Sequence, residues 1–199
     1  MHIIISKDSL LKPLTLVSGA IERKHTLPIL SNVLIETSLE SVKLTGTDME
    51  VELVASTVPD NVIQAGAITV PAKKLFDICR SLPDNAEIEF KVEGHSAVVK
   101  SGKSRFSLST LPASDYPNLE EWTSDETISL SRHTLRALIE STNFSMANQD
   151  VRYYLNGMSF EFETNLIRTV ATDGHRLALA QQGVDNGVSE LRQVIVPRK

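Results

Sequence analysis

The spacing of apolar residues changes twice in the first 20 positions of the chain. A mostly apolar, β-branched run at residues 1–5 precedes Ser6, and apolar residues then recur at helical spacing through Val17. Serine is a preferred helix N-cap, so this pattern predicts a strand followed by a helix. Pro13 removes a backbone donor inside the pattern and is expected to kink or weaken that helix. Gly19 is the expected end of the helix.

Further along, short runs with a period of two predict strands. These runs lie at residues 33–35, 42–45, 51–54, 67–70, 88–92, 97–100 and 105–109. Pro71 stands where proline is favoured, at the first position of a second helix. The apolar stripe of that helix consists of Leu75, Phe76, Cys79 and Leu82. The order strand, helix, strands, helix, strands predicts an α+β fold built around an antiparallel meander.

The landmarks of the first 80 residues recur later in the same order. Ser6 and Leu10 match Ser131 and Leu135, Asn32 matches Asn156, Thr47 and Asp48 match Thr172 and Asp173, and Val70 and Pro71 match Val196 and Pro197. The offsets are 125, 124, 125 and 126 residues. A nearly fixed period indicates repeated architecture. We therefore predict one domain at residues 1–125 and a second at 126–199, joined by a linker near residues 111–126.

The second copy is expected to repeat the elements of the first and to be incomplete. Its predicted strands lie at residues 128–130, around 153–162, and at 167–172, 177–180 and 194–196. Ser131 should cap a helix that is buried through Leu135, Leu138 and Ile139. The chain stops three residues into the expected second helix of this copy, so that helix and the closing strands are missing from the sequence.

Composition narrows the class of protein. The chain has 199 residues, of which 41% are hydrophobic, and this is enough to bury a core. The lone Cys79 suits a reducing compartment and fits an inert core thiol better than a nucleophile. No signal segment and no run long enough to span a membrane occurs. We therefore expect a cytoplasmic protein.

The charges divide unevenly along the chain, and the helices carry most of the interest. The net charge is −5, with 12 basic and 17 acidic residues at 1–125 but 8 of each at 126–199. On helical wheels the cations that point away from the apolar stripes are Lys12, Lys73, Arg80, Arg132 and Arg136, with Arg198 and Lys199 at the fourth helix. These cations either decorate solvated helix faces or form a row that holds phosphates without reading bases.

Catalytic motifs with convincing spacing are not found in the sequence. Thr172 and Asp173 precede His175, but the matching Thr47 and Asp48 are followed by no histidine. We interpret Thr-Asp as a turn in which the aspartate binds nearby backbone groups. His175 is then a structural or surface residue, and no metal or cofactor is expected. The segment 152–155 pairs an arginine with tyrosines, as peptide-binding surfaces do, although core packing is an open alternative.

Several strings of residues closely resemble one known family. They are TLPIL at 26–30, LTGTD at 44–48, SRFSLSTLP at 104–112, QDVRYYLNGM at 149–158 and ATDGHRLA at 171–178. These strings are similar to those of the bacterial sliding clamps, the beta subunit of DNA polymerase III. The resemblance covers the whole chain and is closest to the proteobacterial branch.

The resemblance implies a fold, an assembly and partners. It implies three repeated domains, of which the third is absent here, with antiparallel sheets outside and two helices per domain on the inner face. Two such protomers would form a homodimeric ring around double-stranded DNA of any sequence. The implied partners are the DNA polymerase III alpha subunit, the clamp loader and other proteins with clamp-binding motifs. No catalysis, cofactor or membrane contact is implied.

The resemblance also implies two groups of site residues. The DNA-facing group contains Lys24, Lys73, Gln149, Tyr153, Arg198 and Lys199, to which the helical wheels add Lys12, Arg80 and Arg136. The half-pocket for partner peptides contains Arg152, Tyr154, Leu155, Thr172, Gly174, His175, Arg176 and Leu177. Two other hypotheses remain open: a hydrolase or transferase that uses His175 and Asp173, and a structural repeat protein that binds peptides without encircling DNA.

Overall fold

The chain forms two compact units, Met1–Glu120 and Glu121–Lys199. The computed structural model describes residues 1–21, 27–117 and 127–198. Lys24, Lys199 and the middle of the predicted linker, with Trp122, lie outside the described residues. Each unit combines helices with antiparallel sheets, so the predicted α+β class is confirmed. In the described part of the chain, no helix combines the length and the apolar character needed to span a bilayer.

The described residues of the first unit form two helices and nine strands. The helices are α1 (Lys7–Val17) and α2 (Ala72–Ser81), and short 3-10 turns lie at Pro28–Ser31 and Ala113–Asp115. The strands are β1 (His2–Ser6), β2 (Asn32–Thr37), β3 (Val42–Thr47), β4 (Glu52–Thr57), β5 (Asn61–Gln64), β6 (Gly66–Pro71), β7 (Glu87–Glu93), β8 (Ser96–Ser101) and β9 (Ser104–Ser109). The pattern of apolar residues predicts every one of these strands except β5, in which only Val62 and Ile63 are apolar.

The strands of the first unit form two sheets that share one core with the helices. The strand orders are β5-β1-β7-β8-β9 and β4-β3-β2-β6, and all pairings are antiparallel. Helix α1 packs on β3, β4 and α2, while α2 packs on β2, β6 and β9. The core buries Ile3, Leu14, Val33, Leu75 and Phe90 almost completely. The apolar stripes of both helices therefore face the sheets.

Helix α1 begins as the sequence predicts. The Ser6 hydroxyl accepts a hydrogen bond from the backbone N–H of Ser9 at 3.2 Å, and the helix ends at Val17, just before Gly19. Pro13 lies inside the helix, buried on the stripe that faces the core, and the helix continues past it to Val17. Gly46 of β3 allows the close approach of α1, since a Cβ there would lie 2.6 Å from the carbonyl oxygen of Val17.

Helix α2 begins one residue later than the sequence predicts. Pro71 ends β6 and serves as the N-cap, so the first helical residue is Ala72. Proline fits this place because it has no N–H to leave unsatisfied. Leu75 and Cys79 are fully buried, and burial raises the pKa of the Cys79 thiol to about 12. The predicted core position of Cys79 is confirmed.

The second unit repeats part of this arrangement. It contains helix α3 (Arg132–Glu140), strands β10 (Gly157–Glu163), β11 (Leu166–Thr172), β12 (Leu177–Gly183) and β13 (Arg192–Pro197), and 3-10 turns at Asn143–Ser145 and Tyr153–Asn156. The strand order β12-β11-β10-β13 matches β4-β3-β2-β6 of the first unit. Ser131 caps α3 by accepting the N–H of Thr134 at 3.0 Å. The core of the second unit contains Leu138 of α3 packed with Met158, Phe160 and Ile167.

Three predictions for the second unit are wrong. Residues 128–130 form no strand; β1 pairs with β7, and at the repeat offset the counterpart of β7 would fall after Lys199. Residues 153–156 form a 3-10 turn instead of the start of a strand. Leu135 is 38% exposed and only Leu138 of α3 is fully buried. Helical spacing identifies the apolar face of α3 but not how much of that face the sheet covers.

Tyr116 fastens the segment that leaves the first unit onto its sheet. Its side chain is 4% exposed, and its hydroxyl accepts the backbone N–H of Thr47 at 3.2 Å. The same hydroxyl lies 3.2 Å from the carbonyl oxygen of Thr45 and 3.4 Å from that of Asn32. Burial raises the pKa of Tyr116 to about 12, so the hydroxyl keeps its proton near neutral pH. The Tyr116 side chain therefore links β2 and β3 to the segment that follows β9.

We predict that Tyr116→Phe destabilises the first unit. The change leaves the buried N–H of Thr47 without its acceptor, at a cost of about 1–3 kcal/mol. Urea unfolding followed by circular dichroism should show a lower midpoint. Tyr153→Phe is the matched control because Tyr153 is 81% exposed, and its midpoint should stay at the wild-type value. Equal midpoints for both variants would contradict the anchoring role.

Candidate functional site

Both units contain the same turn, built from a threonine and an aspartate. In the first unit the Asp48 carboxylate accepts the N–H groups of Glu50 and Val51 at 2.9 and 2.8 Å. In the second unit the Asp173 carboxylate accepts the N–H groups of His175 and Arg176 at 2.9 and 3.0 Å. The two threonines also match, since Thr47 donates to Val51 and Thr172 to Arg176. The predicted turn is confirmed in both copies.

The turn of the second unit presents exposed side chains at one end of its sheet. Gly174, His175, Arg176 and Leu177 are all exposed. The pKa of the Asp173 carboxyl lies below its ordinary value, first because the carboxylate accepts the N–H groups of His175 and Arg176. The charge of Arg176 lowers this pKa further. The carboxylate therefore stays ionised and keeps the turn closed at neutral pH.

A second loop, here named the arginine loop (residues 149–156), lies beside this turn. The Asp150 carboxylate accepts the backbone N–H of Arg152 at 2.8 Å and its Nε and Nη2 groups at 3.0 Å each. The side-chain and backbone donors of Arg152, in that order, lower the pKa of Asp150 to about 2. Because the folded pKa is depressed, this pair stabilises the loop above the ordinary carboxyl pKa and is lost only as pH falls toward about 2.

The arginine loop meets the turn through Arg152 and Gly174. Gly174 has φ of +87°, and a Cβ on it would lie 3.2 Å from Nη2 of Arg152 and 3.4 Å from Nη1. The guanidinium therefore lies against the glycine backbone, where a larger residue would meet it. The structure thus brings together two predicted pocket residues that are 22 positions apart in the sequence.

The remaining predicted pocket residues provide apolar surface. Leu177 is 64% exposed and pairs with Thr172 across the hairpin formed by β11 and β12. Tyr154 is 50% exposed, and its ring meets that of Tyr153 edge to face at 5.8 Å. Leu155 is only 9% exposed, so it supports the loop from below. The exposed members of this group can contact an apolar ligand.

The arrangement of Asp173 and His175 does not form a base with an orienting carboxylate. Asp173 accepts the backbone N–H of His175, and within the described ranges no carboxylate accepts a hydrogen bond from the His175 imidazole. Among these residues no group of three or more His, Cys, Asp or Glu side chains could hold a metal ion. The arrangement of Asp173 and His175 therefore does not support the hydrolase or transferase hypothesis.

Lys12, Lys73 and Arg80, the predicted cations that lie in the described part of the first unit, are exposed, and two of them share a cleft. Lys73 and Arg80 line a cleft of about 630 Å³ with Lys74, Phe76 and Ile21. Lys12 is exposed on α1 and is not one of the lining residues. Lys73 pairs with Asp77 at 2.7 Å, so its own helix already offsets part of its charge.

The predicted DNA-facing residues that are described in the second unit lie in the arginine loop, next to it or on α3. Tyr153 is 81% exposed, and Gln149 adopts a left-handed φ of +59° next to Asp150. Arg198 donates to the carbonyl oxygens of Met146 and Ala147 at 3.0 and 3.2 Å. On α3, Arg136 pairs with Glu140 at 2.8 Å.

Three residues that build this surface are missing from the predicted set. They are Asp150, Asn156 and Phe144. Asn156 holds both backbone groups of Asp150 at 2.9 Å, and the Phe144 ring lies 5.9 Å beneath the guanidinium carbon of Arg176. The string QDVRYYLN contains two of them, but only the folded loop shows that they contact each other and Arg152. No signal in the sequence identifies Phe144.

Relatives and solved structures match the whole chain. A beta sliding clamp of Pseudomonas putida is 53% identical over 199 residues, which is 100% of this chain and 54% of the relative. The crystal structure of the DNA polymerase III subunit beta from Pseudomonas aeruginosa matches with a TM-score of 0.93 at 51% identity, again over 100% of this chain and 54% of that one. A sliding clamp from the same species bound to griselimycin matches with a TM-score of 0.92 at 51% identity and the same coverage. The chain thus spans about half the length of these relatives.

Family models agree with these similarities in both units. The model for the N-terminal domain of the DNA polymerase III beta subunit matches residues 1–120, and the model for the central domain matches residues 129–199. The repeated strand order and the shared Thr-Asp turn are the structural counterpart of these two matches. The chain therefore belongs to the DNA polymerase III beta subunit family.

Proposed function

We propose that this chain provides residues of the first two domains of a sliding clamp that encircles double-stranded DNA and tethers the replicative polymerase. The proposal rests on one observation: the family models and the solved structures identify the same family. The two models together match most of the chain, and the structural similarity extends over the whole chain and about half the length of the relatives. The complete protein would act as a homodimeric ring without catalysis of its own. Its partners would be the DNA polymerase III alpha subunit, the clamp loader and other proteins that carry clamp-binding peptides.

The charge distribution supports contact with DNA of any sequence. Lys12, Lys73, Arg80 and Arg136 are exposed on helices, while the chain as a whole is acidic. Lysine and arginine bind phosphates without reading bases, and contacts that are few and weak permit sliding. The ion pairs of Lys73 and Arg136 with their own helices weaken each contact further. Retention would then depend on ring closure rather than on affinity.

The surface formed by the arginine loop and the Thr172–Leu177 turn supports docking of partner peptides. It combines exposed apolar side chains, Tyr154 and Leu177, with arginines that are already paired to aspartates. Tyrosine and arginine side chains are enriched at binding hot spots. We propose that partner segments and griselimycin bind at this surface in the complete protein.

We predict that the full-length protein stays on closed circular DNA and is lost from linear DNA. An encircling ring slides off free ends, whereas a protein that binds by charge alone stays on both forms. Gel filtration of loaded complexes at moderate salt measures the retention. Equal retention on circular and linear DNA would contradict encirclement and favour a peptide-binding repeat protein without it.

We predict that Leu177→Asp weakens griselimycin binding by the full-length protein. The change removes an apolar anchor worth roughly 1.5–3 kcal/mol, or about ten- to a hundredfold in Kd. Isothermal titration calorimetry measures the affinity. Leu39→Asp is the matched control, because Leu39 is 82% exposed in the first unit and its change should leave Kd as in wild type. Unchanged affinity for Leu177→Asp would exclude this surface as the griselimycin site.

A further inference from the structure

Asp150 makes contacts that do more than close its own loop. Its Oδ1 atom accepts both the backbone N–H and the Nε–H of Arg152, while its Oδ2 atom accepts Nη2 at 3.0 Å. Arginine paired through two oxygens is held in direction as well as in position. The Asp150 side chain is 23% exposed and that of Arg152 is 50% exposed, so the pair lies at the edge of the surface.

Asp150 is itself held in place by Asn156. The Asn156 amide accepts the N–H of Asp150 and donates to its carbonyl oxygen, both at 2.9 Å. The backbone carbonyl of Asn156 also accepts the N–H of Arg198 at 3.0 Å. Asn156 therefore fixes the backbone of Asp150, so the carboxylate sets the position of the arginine rather than the reverse.

The direction imposed on Arg152 leads to Gly174. The guanidinium lies at contact distance from the place where a Cβ of Gly174 would be. Without Asp150, this long side chain would be free to leave the turn, because within the described residues no other hydrogen bond holds its Nε and Nη2 groups. The pair Asp150–Arg152 thus connects the arginine loop to the turn.

We propose that Asp150 is a positioning residue of the partner-binding surface, which holds the Arg152 guanidinium against Gly174. This inference rests on the proposed function of that surface. Because Asp150 already neutralises the charge, the guanidinium offers its remaining N–H groups to carbonyl oxygens of a bound peptide. The surface then selects peptides by apolar anchors and hydrogen bonds more than by acidic side chains.

Asp150→Asn in the full-length protein tests the proposal. Asparagine keeps an oxygen for the Arg152 backbone N–H but loses the charge and the second oxygen, so the loop is kept and the bidentate pair is lost. We expect the Kd for griselimycin to rise about three- to tenfold by calorimetry, as loss of one charge-assisted contact allows. Glu36→Gln, which removes one charge from an exposed ion pair with Lys43 in the first unit, should leave Kd unchanged.

A double-mutant cycle separates positioning from a general structural role. If Asp150 acts through Arg152, Asp150→Asn has no further effect on Kd in an Arg152→Ala background. The same rise in both backgrounds, or no rise in the single variant, overturns the proposal. If Asp150→Asn does not fold, Arg152→Lys replaces it, since lysine keeps the charge without the two-oxygen geometry; reduced affinity is then expected and wild-type affinity is the contrary result. Absence of griselimycin binding by wild type would instead overturn the proposed surface, and this inference with it.

Discussion

An aspartate carboxylate that accepts two consecutive backbone N–H groups is the interaction on which the candidate surface depends. It closes the hairpin between β3 and β4 through Asp48 and the hairpin between β11 and β12 through Asp173. A charged acceptor that binds two amides is stronger than a neutral one and lowers its own pKa. The turn is therefore rigid where the chain presents its exposed side chains.

The two copies of the turn differ in the residue that follows the Thr-Asp pair. The first copy has Met49 at a φ of +76°, and the second has Gly174 at +87°. Because the turn accepts methionine in the first copy, backbone strain alone does not require glycine in the second. The approach of Arg152 to within 3.2 Å of the missing Cβ gives the physical reason. Glycine at this position thus belongs to the surface and not to the turn.

The sequence predicts what local chemistry and periodicity determine. The caps at Ser6 and Ser131 and the Thr-Asp turn follow from residues near each other in the chain, and the repeat follows from landmarks that recur at a nearly constant offset. The strand predicted at 128–130 is wrong because strands need a paired neighbour, which no local pattern reveals. The roles of Asp150 and Asn156 were missed because they are defined by contacts within a folded loop. The sequence predicts more burial of α3 than the structure has, because helical spacing shows which face is apolar but does not show whether another element covers that face.

Amide hydrogen exchange of the full-length protein, resolved by residue, is the most direct test of the carboxylate-held turn. The amides of His175 and Arg176 lie at exposed residues, so only their bonds to Asp173 would slow their exchange. We expect slowed exchange at both amides at neutral pH, together with slowed exchange at Glu50 and Val51 in the first unit. Exchange of His175 and Arg176 at the rates of an unstructured peptide would contradict the carboxylate-held turn.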